Sequence, residues 1–194
     1  MQTEKKKITI RPVTLADAER LAEIFSYYVQ NTVVAFEYEP LSADVFRERI
    51  TRTTADYPYL VAEEDGRVLG YAYAAPFVGR AAYRFSCELT VYLDPDARGH
   101  GLGRMLYEAL EVRLREMGIR NLYACIGDPL TDDDPYLTRD SERFHARMGF
   151  TKVGTFSKCG YKFDRWYNMI WMEKLLDGGD RASGAGMERE CEPE

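Results

Sequence analysis

Between positions 94 and 104 the chain reads DPDARGHGLGR, with Gly99, Gly101 and Gly103 at alternate positions and Arg98 and Arg104 beside them. Glycine lets a backbone approach a ligand closely and adopt positive φ. An apolar helical repeat starts at Leu102, so the loop feeds a helix whose first N–H groups and dipole attract an anion. The two arginines add positive charge, and a diphosphate-bearing ligand suits such a loop. Other phosphate loops fit less well: no Gly-Lys-Ser/Thr ending is present. A dinucleotide fingerprint would need glycine where Arg104 stands and would open the first βαβ unit, whereas this loop lies mid-chain. Alone, a G-x-G-x-G turn also serves as a plain helix start. His100, at a variable loop position, reads as a solvated residue.

A second chemical residue is Glu88, inside RFSCELTVYL. The period of a strand puts Phe85, Cys87, Leu89, Val91 and Leu93 on one face and Glu88, Thr90 and Tyr92 on the other. A carboxylate in such a strand is costly unless it is paired. Two readings follow: an ion pair with an arginine such as Arg80 or Arg84, or a general base. The two histidines, His100 and His145, lie far apart in a carboxylate-rich chain and show no metal spacing. No metal is expected.

The elements that position these groups can be read along the chain. Ile8–Val13 alternates as a strand, and Thr14 three residues before Asp17 resembles a helix N-cap. Leu21, Ile24, Phe25, Tyr28 and Val29 follow at helical spacing. A second helix is expected from Ser42, with Val45, Phe46 and Ile50 inward. Asp65-Gly66 is a hairpin signal between two strands, and Arg84–Leu93 is another strand. Leu102, Leu106, Ala109, Leu110, Leu114 and Met117 form a helical stripe ended by Gly118. A strand at Asn121–Ile126, an acidic loop at Asp128–Thr138, a helix at Ser141–Met148 and two more strands complete the series. The acidic loop reads as a solvated charge run. The mixed order indicates α+β on a mixed sheet, rather than a doubly wound fold.

With 194 residues, 45% of them hydrophobic, the chain suits one domain with a sizeable core, here residues 1–176. Residues 177–194, rich in Gly, Glu and Arg, read as a disordered tail. Fourteen tyrosines suit a pocket for a polar small molecule. A net charge of −6 argues against non-specific nucleic-acid binding. Cys87, Cys125, Cys159 and Cys191 show no paired spacing, which fits reduced thiols in a cytoplasmic protein. No apolar run approaches the ~20 residues of a membrane span, and MQTEKKK lacks the apolar region of a signal peptide.

The motif RGHGLG after a strand ending TVYL resembles the acetyl-CoA pyrophosphate loop of the GNAT superfamily, Q/R-x-x-G-x-G/A. From about residue 8 to 176, NTVVAFEYEP, YPYLVAEEDGRVLGYAYAAPFVGRAAYRFSCELTVYL, FHARMGF and GYKFDRWYNMIWMEKLL resemble the phosphinothricin acetyltransferase subgroup. The resemblance implies a mixed, mostly antiparallel sheet flanked by helices and splayed where acetyl-CoA lies. It implies backbone contacts from Val91, Tyr92 and Leu93 to the pantetheine and thioester end. The loop Arg98, Gly99, His100, Gly101, Leu102, Gly103 and Arg104 would hold the pyrophosphate.

The resemblance further makes Glu88 the catalytic base and the Val91 N–H the donor to the acetyl oxygen. His145, three residues before Met148-Gly149-Phe150, becomes a candidate proton donor to the thiolate; packing or capping is its other reading. Phe36, Glu39, Arg80 and Tyr83 match the segments that bind the acceptor, an amino-acid-like amine. Lys162, Arg165 and Trp166 are candidates for a pocket or a dimer contact. One departure is that Thr138 replaces the family's usual asparagine, with Asp140 or Ser141 as substitutes. A homodimer is implied. Alternatives are a different acceptor (a polyamine or a protein N-terminus) and a non-catalytic acetyl-CoA sensor.

Overall fold

The computed structural model describes residues 7–176; the tail expected to be disordered lies outside them. The elements are β1 (Ile8–Pro12), α1 (Ala18–Asn31), α2 (Ala43–Asp56), β2 (Tyr59–Glu64), β3 (Arg67–Pro76), β4 (Ser86–Leu93), α3 (Leu102–Glu116), β5 (Asn121–Asp128), α4 (Asp140–Arg147), β6 (Thr151–Lys162) and β7 (Arg165–Leu175). One seven-stranded sheet has the order β1-β2-β3-β4-β5-β7-β6. Only the β4–β5 pair is parallel. The α+β mixed sheet expected from the element order is therefore present.

Local chemistry explains most boundaries. Before α1, the Asp17 carboxylate accepts from the Thr14 N–H at 2.7 Å and its hydroxyl at 2.9 Å, while Arg11 adds two bonds of 2.8 Å. The first strand is thus tied to the first helix. Asp65 and Gly66, with φ of 50° and 81°, form the β2–β3 turn. Ser42 caps α2. Gly118, with φ of 79°, stops α3. Met117, placed inward by the periodicity, is 48% exposed because it is the residue at which the helix already ends. β4 begins at Ser86, two residues later than expected, because Ala81–Tyr83 forms a 3-10 turn. That leaves Phe85 exposed, with the Arg84 guanidinium 4.4 Å from its ring centroid.

The sheet is packed on two faces. α3 lays Leu102, Leu106, Leu110 and Leu114 over Cys87, Leu89, Leu122 and Ile170. On the other face α1 and α2 cover Val61, Tyr59, Tyr71 and Tyr92. Beyond β4 no helix of the described residues covers that second face.

The α1–α2 connection reaches across to β6. Lys162, 2% exposed, donates to the carbonyls of Val29 (2.7 Å), Thr32 (3.0 Å) and Ala35 (2.7 Å). Its three donors thus tie the end of α1 to the loop that follows it, and the cation also meets the negative end of the helix dipole. Phe36 lies on Gly160, where a Cβ would come within 2.3 Å of the ring. The Tyr38 hydroxyl donates to the Tyr161 carbonyl at 2.7 Å. Lys162 is therefore a structural clamp inside the fold. Arg165 and Trp166 stay exposed, Arg165 at 3.7 Å from Asp134 and Trp166 against Tyr161.

The acidic loop is only partly the solvated run it resembles. Asp132 and Asp133 are exposed, but the Asp128 carboxylate is buried against Arg139 and Asn168. The Asp134 carboxylate accepts from the N–H groups of Tyr136 and Leu137 and from the Tyr167 hydroxyl.

Lys162→Met leaves three carbonyls without their donor, which costs about 2–4 kcal/mol of stability in all. Urea unfolding followed by circular dichroism measures it. An unchanged midpoint would show that the clamp contributes nothing net.

Candidate active site

β4 pairs with β5 only at Ser86↔Asn121, Cys87↔Leu122 and Glu88↔Tyr123. Beyond Glu88 each strand keeps its outer neighbour: β4 stays on β3 as far as Gly70↔Leu93, and β5 stays on β7 to its end. The sheet therefore opens between β4 and β5 immediately after Glu88. The Asp94 N–H reaches back to Leu69 O on β3 at 2.8 Å. Alternation along the strand then turns the N–H groups of Leu93 and Val91 the other way, into the opening.

A cleft of about 700 Å³ fills this opening, lined by Val91, Leu93, the glycine loop, Tyr28 and the start of α4. Gly99 and Gly101 have φ of 82° and 78°, and a side chain at either would project into open space. Gly103 has little room for one, since its Cβ would lie 3.1 Å from the Phe144 ring. The Met105 N–H to Gly101 carbonyl bond, 3.1 Å, opens α3, so the preceding N–H groups have no helical acceptor. Arg98, Gly99, Gly101, Leu102, Gly103 and Arg104 all line the cleft, and the Arg98 guanidinium stands 5.0 Å from the Tyr28 ring centroid. Thr138, Asp140 and Ser141 line it as well, so all three candidates for the missing asparagine are at hand.

Two loop and strand residues are placed differently. His100 lines a separate hollow of about 270 Å³ with Arg67, Asp94 and Asp96. The Tyr92 side chain belongs to the other face of the sheet. The Leu93 carbonyl accepts from the Tyr28 hydroxyl at 2.5 Å, and the hydroxyl oxygen in turn accepts from the Leu93 N–H at 3.3 Å. Tyr28 was legible only as a core position of α1.

Glu88 sits at the fork, half-buried, on the face opposite Cys87 and Leu89. Among the described residues it makes no ion pair; neither Arg80 nor Arg84 meets it. Burial pushes its carboxyl above the usual range. Thr90 and Tyr92 share its face, with Thr90 bonded to the Tyr73 hydroxyl.

His145 is 4% exposed and does not line the cleft. Its Nδ1 lies 2.7 Å from the Ser141 carbonyl, which can only accept, so Nδ1 carries the proton. Nε2 then accepts from the Tyr107 hydroxyl at 3.0 Å. Burial pushes its pKa down to about 4, against the raising effect of the Ser141 carbonyl.

Of the expected acceptor residues, Phe36 packs edge-on against Tyr167 at 6.3 Å. Arg80 and Tyr83 flank an exposed turn, Tyr83 next to Phe77, which stacks at 4.0 Å on Tyr123, the register partner of Glu88. Glu39 is exposed and lines neither large cavity; Glu37, two residues earlier, lines the one under α2.

The family model described as the acetyltransferase (GNAT) domain matches residues 10–171. A phosphinothricin N-acetyltransferase of Alcaligenes faecalis is 37% identical over 173 residues, 89% of this chain and 84% of that protein. An L-methionine sulfoximine/L-methionine sulfone acetyltransferase of Salmonella typhimurium is 30% identical over 88% of this chain and 95% of its own. The crystal structure of a GNAT superfamily phosphinothricin acetyltransferase from Sinorhizobium meliloti in complex with acetyl-CoA superposes with a TM-score of 0.78 at 36% identity, covering 87% of this chain and 88% of that one.

The buried His145 carries a stability prediction. Its folded pKa lies below its unfolded one, so the stability it contributes is present above about pH 6.5 and is lost as pH falls toward about 4. Between pH 7 and pH 5 the protein loses about 2 kcal/mol through this residue. Urea titrations at both pH values should show a His145→Gln variant with a correspondingly smaller loss; equal losses would mean that His145 is already charged in the fold.

Proposed function

The chain belongs to the GNAT acetyltransferase family and is an N-acetyltransferase; from that premise we propose that it moves the acetyl group of acetyl-CoA directly to the amino group of a small, amino-acid-like acceptor, of the kind represented by phosphinothricin or methionine sulfone. The observation that carries this reading is the unpaired Glu88 carboxylate at the fork of β4 and β5. It stands between the glycine-loop cleft and the helix-free part of the opposite sheet face.

The cleft fits the donor. Gly99 and Gly101 leave space beside their backbone, the first N–H groups of α3 point outward, and Arg98 and Arg104 supply charge. Acetyl-CoA supplies an electrophilic thioester carbon. Glu88 takes a proton from the acceptor's ammonium group and so frees the nitrogen lone pair. The Val91 N–H, turned into the opening, donates to the carbonyl oxygen as it gains charge. As the C–N bond forms and the C–S bond breaks, the second amine proton goes to the departing thiolate. Neither ring nitrogen of His145 holds a proton directed at the cleft. Its role is to tie α4, which lines the cleft, to the buried Tyr107 of α3.

Arg80, with its planar fork, supplies a cation for the acceptor's carboxylate, and Tyr83 and Phe36 supply apolar walls. A homodimer would use β6, the edge strand on which Val153 and Phe156 are exposed.

Thiol release from acetyl-CoA, measured across amino acids, methionine sulfone, phosphinothricin and polyamines, tests the acceptor class; turnover confined to polyamines would overturn it. Glu88→Gln should lower kcat by about 10²- to 10⁴-fold with acetyl-CoA affinity unchanged. Because the base must be ionised, the wild-type rate falls as pH drops through the raised pKa of Glu88, and this limb should vanish in the variant. Gly101→Glu, with an added side chain and negative charge in a left-handed position, should abolish acetyl-CoA binding in calorimetry; retained affinity would remove the loop from its role.

A further inference from the structure

Under α2, on the sheet face that carries Glu88, lies a second cavity of about 450 Å³. Tyr59, Tyr71, Tyr73, Tyr92 and Arg49 line it. Tyr71 is 1% exposed and Tyr59 3%, yet neither hydroxyl has a hydrogen-bond partner among the described residues. No side-chain oxygen without a partner is sealed from solvent either. Both hydroxyls therefore open on the cavity. Burial holds these phenols well above their ordinary pKa, so they keep their protons and can donate.

Arg49 adds a cation. Its guanidinium lies 5.6 Å from the ring centroids of both Phe25 and Phe46 and 3.7 Å from the Glu37 carboxylate. That separation is beyond a hydrogen bond, so its N–H groups are not committed to Glu37. Phenol donors and a guanidinium together select a group rich in acceptor oxygens.

The cavity adjoins the reacting centre. Ala75, the register partner of Glu88, forms part of its wall, as does Tyr73, the partner of Thr90. Thr90 is two residues from Glu88 on the same face, about 7 Å along the strand. A side chain of methionine's length spans that distance.

We propose that the tyrosine cavity is the subsite for the far end of the acceptor's side chain, and that Tyr59, Tyr71 and Arg49 select an anionic or strongly dipolar oxygen group there. The proposal rests on the acetyl-transfer reading only for the position of the amine. Along β4 the acceptor then lies with its carboxylate toward the Arg80–Tyr83 turn, its amine at Glu88 and its side chain under α2.

Methionine and methionine sulfone, alike in length and different in oxygen content, test it by thiol-release kinetics. Tyr71→Phe and Tyr59→Phe should each lower kcat/KM for the sulfone by about two- to tenfold through KM, the value of one lost hydrogen bond, with methionine unaffected. Arg49→Met should lower it further. Equal losses on both acceptors, or none, overturn the subsite. Methanesulfonate, which carries the oxygen end without an amine, gives an independent reading by ligand-detected NMR. Binding to the wild type that disappears in a Tyr71→Phe/Arg49→Met variant supports the cavity even if no amino acid is acetylated; no binding, or equal binding to both proteins, overturns it. Absence of turnover across the panel would count against the acetyl-transfer reading alone.

Discussion

The separation of β4 from β5 after three residue pairs is the constraint on which the site depends. A strand that leaves its neighbour gives up backbone hydrogen bonds, and those groups are costly unless something else meets them. Here each strand is held from its outer side: β4 by β3 through Leu93, and β5 by β7 along all eight of its residues. Tyr28 reaches in from α1 to meet the backbone of Leu93. The opening is thus over-determined by its surroundings, and its exposed N–H groups stay directed at whatever occupies it. α3 begins at its mouth because Leu102 and Leu106 are buried against the same β4 that lines the cleft.

The pleat of one strand then serves two reactants. Val91 and Leu93 line the cleft, whereas Glu88, Thr90 and Tyr92 face α1 and α2 or the helix-free sheet. In the proposed reaction, a base on the far face of the same strand reaches the fork from the acceptor side without competing for cofactor space. A slip of one residue in the β3–β4 register would exchange the two faces. The register of the eight-residue strand, paired from Cys87 to Leu93, therefore fixes which side chains face the cleft and which face α1 and α2.

What the sequence reveals is what local rules govern. The glycine loop, the alternation of β4, the Asp65-Gly66 turn and the stripe of α3 each follow from residues close in the chain, and each is present. The features that escaped it depend on distant partners. The parting of β4 and β5 depends on β7, which follows β5 by almost forty positions. His145 differs from a cleft histidine only because Tyr107, on α3, closes over it. Lys162 resembles a surface cation until the end of α1 and the loop after it supply three carbonyls. Asp128 and Asp134 look like part of a solvated acidic run because Arg139, Asn168 and Tyr167 come from outside that run. In the α1–α2 loop no periodicity chooses among acidic residues, and Glu37 rather than Glu39 turns to the cavity. Composition signalled a tyrosine-rich pocket but could not say where it lies.

Partnered and unpartnered polar groups divide the molecule in a way that bears on function. The buried charges away from the fork are all compensated: Asp17 by Arg11, Asp94 by Arg20 and Arg67, Glu111 by Lys174, and Lys162 by carbonyls. Fully buried Tyr107 and Tyr167 likewise have partners for their hydroxyls. The exceptions, Glu88 with the hydroxyls of Tyr59 and Tyr71, gather on one face of the sheet across three neighbouring strands. For packing alone phenylalanine would serve at Tyr59 and Tyr71, whose hydroxyls find no partner among the described residues and open on the cavity. Polar groups left without protein partners at one place, while the rest of the fold pairs its own, are what the proposed subsite requires of a region where a ligand completes the hydrogen bonding.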